Sequence, residues 1–431
     1  GMGCSLCLGP HAELACCESH AWIDEAVDGQ KSLVFLHGVM CCALQAKVGP
    51  NTCIGCSALL HGPGWENTFF SAEELVAGVP RFRNVLKLRK TRAKRTDGSE
   101  VVSTCDQEGV QIRPYPGIAG IATLNPGEDP LEIPVFKVLI RNLAPNYRLQ
   151  AASYDWRRWG DVVFMEKTAE DFKRTIEREF KLTGRSVAII AHSMGGNVAV
   201  YCMNTLGDDW CRKHVSDVIL VAPSLAGSCS MLYGFANAPL SAALGTNFPD
   251  FVDNFVADCA TTFPVGASLL PTQVGQVQAH DVDHKFVVTP DRTYGVEDMG
   301  QFVADMESQW PERVHTAEFW PHIEAEARRI APLAAPTHIV YMDHVDTPCQ
   351  ITYESSDLRR DPVVSQRAPG DGTLIVGPLK ALAAAWGRAG KAPVAMHRLP
   401  GDVIAGGVNH GHMIMQEWLV QLIEDLVPPH A

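Results

Sequence analysis

The chain has 431 residues, of which 46% are apolar and 20% charged; this ordinary globular balance excludes disordered and fibrous classes. At ~150 residues per domain the length allows two or three units, or one large α/β domain with insertions. A formal net charge of −13 excludes nucleic acid as the main partner, because a phosphate backbone asks for a basic footprint, and no apolar run approaches the ~18 residues of a spanning helix.

Residues 1–30 read as a leader. The start Gly1-Met2-Gly3-Cys4-Ser5-Leu6-Cys7 has no charged segment followed by a long apolar one, so it is not a secretory signal and the protein is expected inside the cell. With Met2 as the native start, Gly3 takes the position of an N-myristoyl chain, although Cys7 stands where Ser or Thr is usual. Gly3, Cys4 and Cys7 are therefore candidate acylation points; one acyl chain holds a membrane marginally and a second makes the anchor stable. The competing reading is a disordered leader. The 14 cysteines, including the doublets Cys16-Cys17 and Cys41-Cys42, fit reduced thiols in a chain that is not exported. Cys53-x-x-Cys56 has the spacing of half a zinc site with no second half, so no metal or other cofactor is expected.

From residue 31 to 427 the pattern is that of one α/β domain. Short apolar runs at 32–36, 186–191, 217–222, 338–342 and 394–399 predict strands buried on both faces of a mostly parallel sheet. Met165, Ala169, Phe172, Ile176 and Phe180 repeat at helical spacing, as do Met415, Trp418, Leu419, Leu422 and Leu426 before Pro428-Pro429; both predict amphipathic helices between or after strands. The alternation predicts right-handed crossovers with helices on both faces. Two stretches break it. Residues 49–112, rich in Gly and in polar and basic residues, read as a lid-like insertion, and residues 224–335, rich in Gly, Pro, Asn and Asp, as a cap insertion. No internal repeat is visible.

The most informative stretch is Val187-Ala-Ile-Ile-Ala-His-Ser193-Met194-Gly195-Gly196-Asn197. A strand runs into a serine, two glycines and a helix, the setting of a nucleophile elbow, with Ala191 and Gly195 at the two small flanking positions. The turn makes Ser193 the candidate nucleophile and aims the Met194 N–H at a developing oxyanion. A serine needs a base to take its proton and a carboxylate to orient the base, and in this context they follow it in the order acid, then histidine. Of the downstream acids Asp343, Asp346, Asp357 and Asp371, the last stands out in the glycine-bracketed loop Pro369-Gly370-Asp371-Gly372-Thr373, ahead of a helical segment at 378–386. The loop Gly406-Gly-Val-Asn-His410-Gly-His412-Met413 follows the last predicted strand and offers two competing bases, His410 and His412.

Taken together, these residues resemble the lecithin–cholesterol acyltransferase family of α/β-hydrolases, which includes lysosomal phospholipase A and phospholipid:diacylglycerol acyltransferase. The similarity runs through most of residues 32–425. It rests on the colinear segments Leu36-His-Gly38-Val39-Met40 with Leu44-Gln-Ala-Lys47-Val48, Gly109-Val-Gln-Ile-Arg113-Pro-Tyr-Pro-Gly117, Tyr154-Asp155-Trp156-Arg157, Ala191-His-Ser193-Met-Gly195, Ala222-Pro223, Thr289-Pro290 with Tyr294, and Gly370-Asp371-Gly-Thr373. The resemblance implies an α/β-hydrolase fold and a serine lipid acyl hydrolase or acyltransferase acting on a glycerophospholipid, with transfer to a sterol or diacylglycerol, a soluble carboxylesterase and a non-catalytic lipid-binding relative as alternatives. It selects His410, three positions before Met413, as the base, and assigns the second oxyanion donor to the Val39 N–H. It departs from the family pattern at His37, where a proline is usual, at Cys41-Cys42, and in lacking a clear lid disulfide, a pairing of Cys53 or Cys56 with Cys105 being disfavoured in a reducing compartment. Asp155 and Arg157 precede the nucleophile and read as a structural charge pair.

Substrate access is read from charge. Arg81, Arg83, Lys87, Arg89, Lys90, Arg92, Lys94 and Arg95 fall together with no acid between them. Within the lid-like insertion this reads as a surface for anionic lipid, at ~1 kcal/mol per basic residue, against the plainer reading of a solvated strand pair. The expected partner is a phospholipid membrane surface, with no obligate protein partner.

Overall fold

A computed structural model describes residues 30–49, 64–68, 85–127, 132–235, 262–311, 315–401 and 407–429. Gly3, Cys4, Cys7, Arg81, Arg83, Cys53 and Cys56 lie outside the described residues.

The centre is a six-stranded parallel sheet of β1 (Ser32–Leu36), β2 (Arg148–Ala151), β3 (Val187–His192), β4 (Val215–Val221), β5 (Thr337–Tyr341) and β6 (Val394–Arg398), in the order β6-β5-β4-β3-β1-β2. The strands of β1 and β3 are buried along their whole length. That is why they read in the sequence as unbroken apolar runs rather than as alternation. In register, Leu33 faces Ala188 and Leu36 faces Ala191, while His192 at the end of β3 faces Val221 of β4. Five strands fall within one or two residues of the predicted runs. The sixth, β2, carries Arg148 and Gln150 and is half-buried on the sheet edge, so no apolar run announces it.

The chain steps outward from β1 to β2, then returns to the other side of β1 and proceeds outward through β3, β4, β5 and β6. The direction reverses between β1 and β3. In open parallel sheets the crevice at the carboxyl ends of the strands beside such a reversal is where ligands bind. Here those ends carry His37-Gly38 and Ser193.

Four helices fix this frame. Helix α1 (Val162–Thr183) starts at Asp161, whose carboxylate accepts from the N–H groups of Val163 and Phe164, and stops at Gly184 with φ of 68°. Its stripe Met165, Ala169, Phe172 and Ile176 is buried. Helix α2 (Met194–Leu206) follows the elbow and is buried from Met194 through Met203. Helices α3 (Val376–Ala389) and α4 (Glu417–Leu426) complete the order. The strand order, the parallel sheet and the flanking helices are those of the α/β-hydrolase fold.

The excursions form their own small sheets. The strand Leu44–Val48 pairs antiparallel with Val110–Pro114 and with Glu66–Asn67. Arg89–Lys94 and Glu100–Cys105 make a hairpin. A four-stranded sheet joins Thr293–Tyr294, Val287–Val288, Val345–Thr352 and Val363–Gly370 in that order, over a second apolar cluster that includes Phe286, Phe302, Phe319 and Tyr353. Pro348 hides one of the two eight-residue strands of this sheet in the sequence. Proline belongs at bulges, and the register of Val345–Thr352 slips beside it, between Pro348 and Gln350.

Candidate active site

Ser193 stands between β3 and α2 with φ of 55° and ψ of −126°. A non-glycine residue in that region is strained and persists only where its surroundings over-determine it. Here its N–H donates to Val221 O on β4 at 2.9 Å, and its carbonyl accepts from Gly196 N at 2.9 Å. Two glycines let the turn form. A Cβ at Gly195 would lie 2.4 Å from Leu36 O, and one at Gly38 would lie 2.9 Å from Ser193 Cβ and 3.4 Å from its Oγ. The end of β1 therefore packs backbone-first against the serine.

His410 lies in a short 3-10 turn, His410–Met415, after β6. Its Nε2 is 2.9 Å from Ser193 Oγ, and its Nδ1 is 2.7 Å from Asp371 Oδ2. The main chain carries the same link, since His410 N–H donates to Asp371 O at 2.9 Å. The other carboxylate oxygen of Asp371 accepts from Thr373 N at 2.8 Å and Leu374 N at 2.6 Å. One oxygen is thus held by the loop and the other is left for the imidazole. Asp371 and His410 are both buried.

The structure brings together Ser193, Asp371 and His410 and leaves the competing residues elsewhere. His412 is exposed. Asp343 pairs with Arg398 and Lys380 at the surface, Asp357 pairs with Arg359 and Arg360, and Asp346 is exposed on the small sheet. Val39 follows Gly38 in the loop against Ser193, and Met194 opens α2. Among the described residues neither N–H donates to a backbone acceptor; for Met194 this follows from its place in the first turn of a helix.

Two buried histidines flank the serine. His37 stacks on Tyr154 with ring centres 4.2 Å apart. Its Nδ1–H donates to Gly38 O at 2.9 Å and its Nε2 accepts from Tyr154 N at 3.3 Å. Burial pushes its pKa down to about 4, so it stays neutral near pH 7. His192 donates through Nε2–H to His410 O at 3.2 Å. Burial, and next the neighbouring His410, push it down to about 3. Both therefore act as fixed hydrogen-bonding groups near neutrality.

Arg157 is fully buried and grips Asp155 through Nε at 2.9 Å and Nη2 at 2.6 Å. It also donates to Leu86 O at 2.7 Å and Asp106 Oδ1 at 2.8 Å. Burial opposes its charge, but Asp155 and Asp106 outweigh it and raise its pKa above the ordinary guanidinium value. None of these bonds reaches Ser193, Asp371 or His410.

The basic run is only partly free. Lys90 pairs with Glu307 and Glu318, Arg92 with Glu318, and Arg95 with Glu166 and Glu326. Arg89 donates to Asp106 O. Lys87 is half-buried and Lys94 exposed. Cys105, like the other described cysteines, is a free thiol, and among the described residues no cluster suits a metal ion.

Sequence reasoning missed the residues that hold the acid loop. Thr347 Oγ1 accepts from Gly372 N at 2.8 Å, and Ser228 Oγ donates to Thr373 O at 2.6 Å. These partners stand 25 and 145 positions away, so no local pattern could have pointed to them.

The family model of lecithin:cholesterol acyltransferase matches residues 95–327. The chain is 26% identical over 222 residues to lecithin-cholesterol acyltransferase-like 1 of Arabidopsis thaliana, covering 49% of this chain and 46% of that protein. It is 26% identical over 259 residues to lysosomal phospholipase A and acyltransferase of Bos taurus, covering 59% of this chain and 58% of the relative. The chain thus spans about half the length of these curated relatives. A wider match, at 23% identity, covers 74% of this chain and 68% of phosphatidylcholine-sterol acyltransferase of Rattus norvegicus. Among solved structures, a rice cell wall degrading esterase from Xanthomonas oryzae is similar with a TM-score of 0.35 and 12% identity over 78% of this chain and 88% of that one. The family match spans more than half of the 431 residues, and the chain belongs to the lecithin:cholesterol acyltransferase family.

Proposed function

We propose that this protein is a serine acyl hydrolase or acyltransferase that cleaves an acyl ester of a glycerophospholipid. The observation that carries the reading is His410 seated between Ser193 Oγ at 2.9 Å and Asp371 at 2.7 Å on a strand–turn–helix elbow. Family membership and the relatives named as phospholipase and acyltransferase support the lipid ester as substrate.

His410 Nε2 takes the proton of Ser193 Oγ as the oxygen attacks the ester carbonyl. Asp371 holds the Nδ1–H tautomer and stabilises the imidazolium. The N–H groups of Val39 and Met194 receive the oxyanion. His410 then protonates the departing lysolipid oxygen, leaving an acyl group on Ser193. Water resolves the acyl-enzyme in hydrolysis and a lipid alcohol resolves it in transfer. We take hydrolysis as the principal outcome, since no sterol-specific feature is identifiable in the chain. The reaction takes place at a membrane surface, with Lys87, Arg89 and Lys94 facing anionic lipid and acylation at Gly3, Cys4 or Cys7 as an anchor.

A fluorophosphonate probe should label the wild-type protein and fail to label Ser193→Ala; equal labelling of both would sink the serine mechanism. Mass spectrometry of phosphatidylcholine vesicles incubated with the enzyme, with and without diacylglycerol or a sterol, then separates the outcomes. Free fatty acid and lysolipid report hydrolysis, and a new triacylglycerol or sterol ester reports transfer. Binding to anionic vesicles that is unaltered by charge removal at Lys87, Arg89 and Lys94 would count against the lipid-facing surface.

A further inference from the structure

The segment 37–43 is irregular backbone between β1 and the strand Leu44–Val48, yet it carries the Val39 N–H, and an oxyanion donor must be held still to act. Backbone bonds close part of it: Cys41 N–H donates to Gly38 O at 3.3 Å, Ala43 N–H to Gly120 O at 2.8 Å, and Ala43 O accepts from Tyr115 N at 2.8 Å. Further tethers come from Tyr154-Asp155-Trp156-Arg157. The Tyr154 hydroxyl donates to His37 O. Tyr154 N–H donates to His37 Nε2 at 3.3 Å, and the two rings stack at 4.2 Å with 12° between their planes. At the other end of the loop, Trp156 Nε1–H donates to Cys42 O at 3.3 Å. Residues 37 and 42 are thus both tethered, and Val39 lies between them.

The tetrapeptide is itself rigid. Asp155 accepts from Arg157 N at 3.2 Å, opening the 3-10 turn Trp156–Arg158, and receives two further bonds from the Arg157 guanidinium. Arg157 ties the segment on to Leu86 and Asp106. Tyr154 and Trp156 are buried, and burial raises the Tyr154 pKa well above 10, which keeps its hydroxyl a donor.

We propose that Tyr154 and Trp156 are positioning residues for the oxyanion hole: by fixing the carbonyls of His37 and Cys42 they aim the Val39 N–H at the ester oxygen bound to Ser193. The Asp155–Arg157 pair is the brace that holds these two donors in place, which gives the tetrapeptide a function without any contact with the triad. The proposal rests on the reading of Ser193 as nucleophile and Val39 as donor.

The test is Tyr154→Phe, which keeps the stacked ring and core volume and removes only the hydroxyl. With p-nitrophenyl butyrate as substrate, kcat should fall roughly ten- to a hundredfold while KM stays within about twofold. The inhibition constant of an alkyl trifluoromethyl ketone, whose hemiketal alkoxide occupies the oxyanion position, should rise by the same factor as kcat falls. A loss of kcat with an unchanged inhibition constant would overturn the proposal in favour of a packing role, and an unchanged kcat would overturn it outright. Should Tyr154→Phe not fold, Trp156→Phe removes the donor at the other end of the loop, and the same paired change decides. Wild-type protein that neither turns over the ester nor takes a fluorophosphonate at Ser193 would overturn the underlying reading and this one with it. An active wild type with indifferent variants overturns the positioning role alone.

Discussion

Asp371 divides its two carboxylate oxygens between different tasks, and this makes it hard to replace. Oδ1 accepts two backbone N–H groups, from Thr373 and Leu374, and Oδ2 faces His410 Nδ1. An asparagine cannot satisfy both sides. If its carbonyl takes the two backbone donors, its NH2 faces Nδ1 and forces the proton onto His410 Nε2, where it blocks proton acceptance from Ser193. If it turns over, the NH2 opposes two N–H groups. Asp371→Asn should therefore fold but lose roughly 10³- to 10⁴-fold in kcat. The rate of fluorophosphonate labelling of Ser193 reports this directly, and a loss below tenfold would argue that Asp371 does not set the tautomer. Asp371 was legible in the sequence because its glycine-bracketed turn is local chemistry. Choosing His410 over His412 needed either the family motif or the fold, because both histidines sit in one loop and only three-dimensional placement buries one and exposes the other.

At the scale of elements, one carboxylate joins helix α1 to the hairpin Arg89–Cys105. Asp161 is fully buried. Oδ1 accepts from Val163 N at 3.1 Å and Phe164 N at 3.4 Å, capping the helix. Oδ2 accepts from Ser103 Oγ at 2.8 Å, Thr104 N at 2.8 Å and Thr104 Oγ1 at 2.7 Å. Losing the cap costs about 1 kcal/mol, and each buried donor left without a partner adds about 1–3 kcal/mol. With three donors to Oδ2 left without it, Asp161→Ala should then destabilise the protein by about 4 kcal/mol or more. Urea unfolding measures it, and a change below about 1 kcal/mol would mean that water replaces the carboxylate. The tie to Ser103 and Thr104 is not legible in the sequence, because it spans 58 and 57 positions. The basic run shows the same limit. Its own segment holds no acid, but Glu166, Glu307, Glu318 and Glu326 reach it from α1 and from the helical elements Met299–Gln309, Ala317–Phe319 and Trp320–Arg329, so local charge reading overstates how much of it is free.

Over the whole molecule, burial of neutral histidines sets the response to acid. His37, His192 and His280 are buried, and burial pushes them down from 6.5 to about 4, about 3 and about 4. In the unfolded chain each would titrate at its ordinary value. Between 6.5 and about 4 the unfolded state therefore binds protons that the folded state refuses, so stability is full above 6.5 and falls as pH drops. A histidine that stays neutral at pH 5 forfeits about 2 kcal/mol there, and three forfeit about 6 kcal/mol, comparable to the whole stability of many domains. His344 and His397, lowered chiefly by burial, add in the same sense. Asp217, Asp343 and Asp357 are held below 3.8 by their hydrogen-bonded partners against the opposing effect of burial, so their contribution goes only at lower pH and leaves the window from 7 to 5 to the imidazoles. The expected outcome is a Tm that falls steeply between pH 7 and pH 5. His280 donates through Nε2–H to Ala226 O at 2.7 Å, so His280→Gln should flatten that slope by less than about one third while leaving a donor on the side chain. A Tm at pH 5 equal to or above that at pH 7 would mean that these rings take up protons inside the fold, and that the neutral contacts of His37 with the oxyanion loop and of His192 with His410 do not describe the working protein.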